Sequence, residues 1–296
     1  MTAAIASPST RALAGRKGID IDALADELGR ETIAKEDLDR KAGGSAAPSP
    51  ASSGTAYWDV DHSAYGEVSE EPVSRFGQVA AANLAAAQAL IPAVTHHDRA
   101  DMSAVERFRA AVRQDSAARG VKLTALAFHA KALAKTLRAF PRFNASLSPD
   151  GKTLILKHYV HLGIAVDTPH GLMVPVIRDA DRKGLWAIAA EIADLASRAK
   201  DRKIRPDEMG GASMSITNLG GIGGTAFTPI VNPPELAILG ITRTETAPVW
   251  DGEAFIPTPM APLDLSYDHR VINGADAARF VAHYARLLAD PRRMLI

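Results

Sequence analysis

Of the nine histidines in this 296-residue chain, one is set apart by its neighbours. His269 follows the alternating run Leu263, Leu265, Tyr267 and stands between Asp268 and Arg270, just ahead of Asn273-Gly274. A histidine on a strand-to-helix turn at a sheet end is well placed for general base work. The flanking acid and base are expected to form an ion pair that fixes the turn. A helix-capping turn with an incidental histidine has the same local pattern. Gly220-Gly221-Ile222-Gly223-Gly224 invites a phosphate-loop reading, but no Gly-Lys-Ser/Thr follows and the next element reads as a strand. These glycines instead suit a tight turn or the close approach of another chain. Thr217 and Asn218, just before them, offer side chains that hydrogen-bond. His96-His97-Asp98 gathers metal-binding types, but neighbours in an extended segment face opposite ways. No His-Glu-x-x-His pair occurs, and no metal site is expected. A Gly-x-Ser-x-Gly elbow is also absent.

The elements that must carry these residues are embedded in an ordinary globular composition. Lys plus Arg is 34 and Asp plus Glu is 34, so the formal net charge is zero. A broad basic face for nucleic acid is therefore not expected. The absence of cysteine excludes disulfides, thiolate metal sites and a cysteine nucleophile. It fits a reducing compartment, and the expected location is cytoplasmic. The uncharged stretch 210–234 holds six Gly and three Pro, too polar for a bilayer core, so no membrane contact is expected. Arg11, Arg16 and Lys17, with no acid before Asp20, faintly resemble an organellar transit segment.

The composition changes sharply once. Residues 42–56 are almost all Ala, Pro, Ser and Gly and read as a flexible linker. Before it, residues 1–41 carry a helix starting at Ser7-Pro8 and a second helix with a Thr32 cap. After it, residues 57–296 alternate helical and strand periods. Ser103 to Glu106 reads as a capping box opening a helix that runs toward Gly120. Thr124 opens another, stopped by Pro141. Val160, Leu162, Ile164 and Val166 alternate as a strand, and Thr168 to Gly171 turns it into a second, Leu172 to Ile177. A helix from Leu185, strands at 213–217, 236–241 and 260–267, and a final helix through Ala277, Val281, Tyr284 and Leu288 complete the pattern. Without a strict βαβ repeat, the expected class is mixed-sheet α/β, close to α+β.

Ser266 to Ala275, with its Asp268-His269-Arg270 core, resembles the Asp-His-Arg-x-x-Asp-Gly motif of the 2-oxo acid dehydrogenase dihydrolipoamide acyltransferases, relatives of chloramphenicol acetyltransferase. Ile164 to Ile177 resembles that family's hairpin. Ser215 to Gly224 resembles its Gly-rich loop, and Pro234 to Ile238 the strand that follows. The resemblance runs from about residue 57 to residue 296. It implies a chloramphenicol-acetyltransferase-like two-layer fold with the active site at a trimer interface. Residues 7–41 resemble the peripheral subunit-binding domain of the same proteins through Ser7-Pro8, Arg11, Leu13-Ala14, Gly18 to Ile21 and Ile33 to Leu38. The usual Gly-Thr-Gly-x-x-Gly-Arg turn is reduced to Asp26-Glu27-Leu28-Gly29-Arg30.

The resemblance assigns roles. His269 takes the proton from a coenzyme A or dihydrolipoyl thiol, and Thr217 of a neighbouring subunit meets the oxyanion. Asn273 stands where the motif has its second acid and orders the site through its amide. Arg109 and Asp167 stand at positions resembling coenzyme A contacts. Arg11, Arg16 and Arg30 are expected to meet an acidic partner surface. Coenzyme A is a substrate, no cofactor is held covalently, and the lipoyl group is expected in trans, since no Asp-Lys-Ala lipoylation site occurs. The partners implied are a homotrimer or cubic assembly of trimers, a 2-oxo acid decarboxylase, dihydrolipoamide dehydrogenase and a lipoyl-bearing protein. The apolar Met294-Leu295-Ile296 resembles tails that dock into an adjacent trimer. Thr225 to Asn232 is most similar to pyruvate-type members, which favours an acetyl group. A non-catalytic scaffold and a small-molecule acetyltransferase are the competing expectations. Retention of His269 speaks against the first, and residues 7–41 speak against the second.

Overall fold

The computed structural model describes residues 4–30, 32–34, 37, 38, 41 and 60–295. The chain divides into two compact units, 1–71 and 72–296.

In the first unit, helix α1 spans Pro8–Lys17. The Ser7 hydroxyl accepts from the Thr10 N–H at 3.2 Å, and Gly18 ends the helix at φ 65°, a left-handed turn that glycine adopts without strain. Helix α2, Ile21–Leu28, is an element the spacing did not announce. Its first turn is held by the Asp20 carboxylate, which accepts from the N–H groups of Asp22 and Ala23. Ala14, Ile21, Leu24, Ile33 and Leu38 form a small core. The helix expected from a Thr32 cap does not begin there, because Thr32 bridges to Ile5 as a short strand pairing. Asp37 organises this stretch instead. Its buried carboxylate accepts from the Ala34 N–H and the Arg30 guanidinium. The expected linker, 42–56, lies outside the described residues.

In the second unit, helix α3 (Arg75–Leu90) leads into strand β1 (Ala93–Asp101). Helices α4 (Ser103–Ala111), α5 (Arg113–Ala118) and α6 (Ala125–Ala139) follow. The expected capping box is not made. The Ser103 N–H donates to Asp101 instead, at 2.7 Å, so the carboxylate two residues upstream already serves that turn. The helix expected to continue toward Gly120 breaks at Val112 into α4 and α5. A small hairpin, β2 (Ala145–Leu147) with β3 (Leu154–Leu156), precedes β4 (Leu162–Ile164) and β5 (Val176–Ile177). The expected strand ending at Val166 is shorter, with Val166 meeting Met173 only through an isolated bridge. Then come helix α7 (Leu185–Lys200), β6 (Met214–Asn218), β7 (Ala237–Ile241), β8 (Glu245–Trp250), β9 (Phe255–Asp268) and helix α8 (Gly274–Ala289).

The sheet runs β1-β9-β7-β6-β4-β5, with β8 paired to the first half of β9. Strands β4, β6 and β7 are parallel neighbours and the remaining pairs are antiparallel. This is the mixed sheet the sequence implies. Successive side chains point to opposite faces of a sheet. One face carries Leu162, Ile164, Met214, Ile216, Leu239, Leu263, Leu265 and Tyr267, which are buried with Leu133, Leu137, Ile188, Phe280 and Tyr284 of the helices. That apolar layer is the main core. The opposite face carries Ser215, Thr217, Gly240, Asp264, Ser266 and Asp268. There Ile238 packs with Ala87 and Ile91 at the end of α3 and with Val231 of the Gly-rich stretch.

Candidate active site

His269 stands on the turn that leaves β9, exposed, with its N–H donating to the Pro92 carbonyl at 3.1 Å. Asp268, fully buried, is clamped from three sides. Its N–H donates to the Leu236 carbonyl at 2.8 Å. Its carboxylate accepts from the Arg270 side chain at 2.6 Å and from the Arg270 backbone N–H at 3.0 Å. That ion pair holds the Arg270 guanidinium above its ordinary range. The imidazole is thus aimed by a turn whose two flanks are tied to each other. Asn273 is the N-cap of α8, its Oδ1 accepting from the Asp276 N–H at 2.8 Å. The amide therefore begins the helix and closes the turn without a negative charge.

Thr217 lies half-buried on β6, pairing with Gly240 of β7, which pairs in turn with Asp264 of β9. His269 comes five residues after Asp264 along the chain. Five residues of strand cover about 17 Å, and two strand spacings add about 10 Å across, so Thr217 and His269 of one chain are about 20 Å apart. A hydrogen-bonded site needs its groups within about 3 Å of the reacting atoms. One chain therefore does not bring this pair to a common substrate.

The other expected residues are scattered. Arg109 sits on α4, donating to both carboxylate oxygens of Glu106 at 2.7 Å and to the Leu123 carbonyl at 3.0 Å. Asp167 is exposed, beside the turn that Thr168 closes by donating to the Gly171 carbonyl. Arg11 donates to the Ala4 carbonyl, Arg30 pairs with Asp37, and Arg16 is exposed in the last turn of α1. Among the described residues no group of three metal-ligating side chains occurs. No described helix is long and apolar enough to cross a membrane.

Two features of the polar face were not singled out from the sequence. His97 Nδ1 lies 2.6 Å from Asp264 Oδ1, joining β1 to β9. Glu235, buried, accepts from the Ser215 hydroxyl at 2.9 Å and the Asn232 amide at 3.1 Å, both on Oε1. Burial pushes its carboxyl above the ordinary range. The signal for the first was the placing of Asp264 between Leu263 and Leu265 in an alternating strand, whereas Glu235, just ahead of β7, had no such pattern.

Comparison with known proteins gives one consistent answer. Residues 65–296 match the family of 2-oxoacid dehydrogenases acyltransferase (catalytic domain). The dihydrolipoyllysine-residue acetyltransferase component of pyruvate dehydrogenase complex from Pseudomonas aeruginosa is 48% identical over 98% of this chain and 55% of its own length. The same component from Cupriavidus necator is 44% identical over 99% of this chain and 55% of its own. The chain thus spans about half the length of these curated relatives. A solved structure of Azotobacter vinelandii dihydrolipoamide acetyltransferase aligns with TM-score 0.79 and 50% identity. It covers 85% of this chain and 100% of that one. That structure was determined to investigate a serine, a histidine and an asparagine in the catalytic mechanism. The cubic core of a pyruvate dehydrogenase multienzyme complex aligns with TM-score 0.79, 50% identity and the same coverage.

Proposed function

The chain belongs to the 2-oxoacid dehydrogenase acyltransferases, and from that premise we propose that it moves an acetyl group between dihydrolipoyl sulfur and coenzyme A. The serine, histidine and asparagine of the Azotobacter enzyme stand in the order and spacing of Thr217, His269 and Asn273 here. The observation that carries the reading is the separation of Thr217 from His269 across one sheet, which a site shared between two subunits removes.

A free thiol of pKa about 8.5 is mostly protonated at neutral pH. The neutral His269 imidazole removes that proton as the sulfur adds to the thioester carbonyl. The carbonyl oxygen becomes a tetrahedral oxyanion, and the Thr217 hydroxyl of the adjacent subunit donates to it. Collapse breaks the original carbon–sulfur bond, and His269 returns its proton to the departing sulfur. The same steps run in either direction. Asn273 holds the turn at the start of α8. Arg109 and Asp167 serve as coenzyme A contacts, and Glu106 keeps the Arg109 guanidinium in one orientation meanwhile.

The unit is a trimer, assembled further as in the cubic core it resembles. Leu295 is 81% exposed while Met294 is buried, which suits a knob inserted into a neighbouring trimer; Ile296 lies outside the described residues. Residues 1–41 act as a subunit-binding domain for the decarboxylase and dihydrolipoamide dehydrogenase components, with Arg16 free to face an acidic surface. The lipoyl group comes to the site on a carrier domain as substrate, and the protein works in the cytoplasm. Purified protein given acetyl-CoA and free dihydrolipoamide tests the activity. Release of coenzyme A with formation of acetyl-dihydrolipoamide is expected. No turnover by a protein that elutes as an intact trimer would overturn the reading.

A further inference from the structure

Beside Thr217 the sheet has a notch. A Cβ built on Gly240 would stand 2.7 Å from Phe227 Cζ and 3.1 Å from Asp264 Cβ, so the Phe227 ring occupies the space a side chain would take. The ring belongs to the Gly-rich stretch after β6, which has no helix or strand of its own between Leu219 and Leu236. Such a segment is held only by individual contacts. At its middle, the Phe227 N–H donates to Asp264 Oδ2 at 3.3 Å and Thr242 donates to the Thr225 carbonyl at 3.2 Å.

Asp264 is 1% exposed, and its two oxygens have different partners. Oδ2 meets the Phe227 N–H, and Oδ1 meets His97 Nδ1 at 2.6 Å. A carboxylate is acceptor-only, so the proton in the second contact sits on Nδ1. His97 itself is half-exposed, on the wall of a cavity of about 460 Å³ shared with Arg99, Thr225, Glu245 and Asp264. Across the strands, His97, Asp264, Gly240 and Thr217 form one row on one face. His97 is too far along that row to touch a thioester at Thr217. It reaches the reaction only through the carboxylate and the loop.

We propose that His97 and Asp264 are positioning residues of the transfer reaction: their pair pins the Phe227 segment into the Gly240 notch and so fixes the wall beside Thr217. This rests on the acyltransferase reading and adds to it a residue from a third strand, β1. With His97 removed, Asp264 keeps one donor and a buried oxygen loses its partner. The carboxylate then turns toward other donors and the Phe227 N–H loses its fixed acceptor.

The test is steady-state kinetics of the intact protein with acetyl-CoA and dihydrolipoamide, for wild type, His97→Ala, His97→Asn and Gly240→Ala. An asparagine places an amide N–H where Nδ1 stood. His97→Ala is expected to lower kcat by about tenfold to a hundredfold, the scale of a reacting group misplaced by about 1 Å. KM for acetyl-CoA should stay within about twofold, since the contact is felt in the chemical step. His97→Asn should recover kcat to within about threefold of wild type. Gly240→Ala, which expels the ring by a different route, should lower kcat in the same direction. If His97→Ala does not fold, the Asn and Gly240 variants decide alone. An active wild type with His97→Ala equal to it, or His97→Asn no better than His97→Ala, overturns the positioning role and leaves the acyltransferase reading intact. An inactive wild-type trimer overturns both.

Discussion

The two ends of the polar face are built in different ways. At the His269 end, the side chains that fix the turn lie within a few residues of it: the Asp268–Arg270 clamp and the Asn273 cap. At the Thr217 end, the parts come from four strands, through Gly240, Asp264, His97 and a long loop carrying Phe227. The side chains around His269 are thus tied locally, with backbone bonds to Pro92 and Leu236 seating the turn on the sheet, whereas the surroundings of Thr217 depend on side chains from distant strands. A defect near His269 should act on one residue. A defect near Thr217 should spread.

The largest expected effect lies at the local end. His269→Ala should abolish acyl transfer, a loss of about 10²–10⁴ in kcat, while circular dichroism and light scattering still report a folded trimer. Activity within about threefold of wild type would remove His269 from the mechanism. At the other end, Thr217→Val should lower kcat by about 10²–10³ with little change in KM, because the hydroxyl meets charge that exists in the transition state. A rise in KM alone would make Thr217 a binding residue.

The core beneath both ends offers a control in pH. His129 of α6 is fully buried against the Tyr284 hydroxyl, at 2.6 Å, and burial lowers its pKa from 6.5 to about 4. Its buried form is therefore the neutral one. Between pH 6.5 and 4 the unfolded chain binds the proton and the folded chain does not, so stability falls as pH falls through that window. The loss is about 3 kcal/mol once pH is below 4. Thermal melts of wild type and His129→Phe against pH should diverge there, and parallel curves would assign the acid sensitivity elsewhere. The smallest effect returns to the local end. Asn273→Ala removes the α8 cap and should cost about 1 kcal/mol, while Asn273→Asp keeps it. Equal melting temperatures for the two variants would mean the cap contributes nothing.

The same contrast explains what the sequence made legible. Alternation from Leu263 to Tyr267, the helix ends near Ser7 and Thr124, and the Asp-His-Arg turn are patterns within a few residues, and each reappears in the structure. Helix α2 was missed because its apolar residues, Ile21, Leu24 and Ala25, make a short stripe whose core partners are Ala14, Ile33 and Leu38. The Ser103 box failed because Asp101 competes for the same N–H. His97 looked like part of a local cluster with His96 and Asp98, yet its partner is 167 residues away. No spacing rule reaches that far. The separation of Thr217 from His269 likewise needed the strand order, since a sequence does not say that β7 lies between β6 and β9.

The central claim is that each active site takes His269 from one chain and Thr217 from another. Co-expressing His269→Ala chains with Thr217→Val chains tests it directly, because neither variant alone is active. In mixed trimers, a site formed by the histidine of a Thr217→Val chain and the threonine of a His269→Ala chain is intact. Random mixing in equal amounts makes about a quarter of the sites intact in a cyclic trimer, and activity should rise to about that fraction of wild type. Mixed trimers no more active than the separate variants would place both residues in one chain's site and contradict the account.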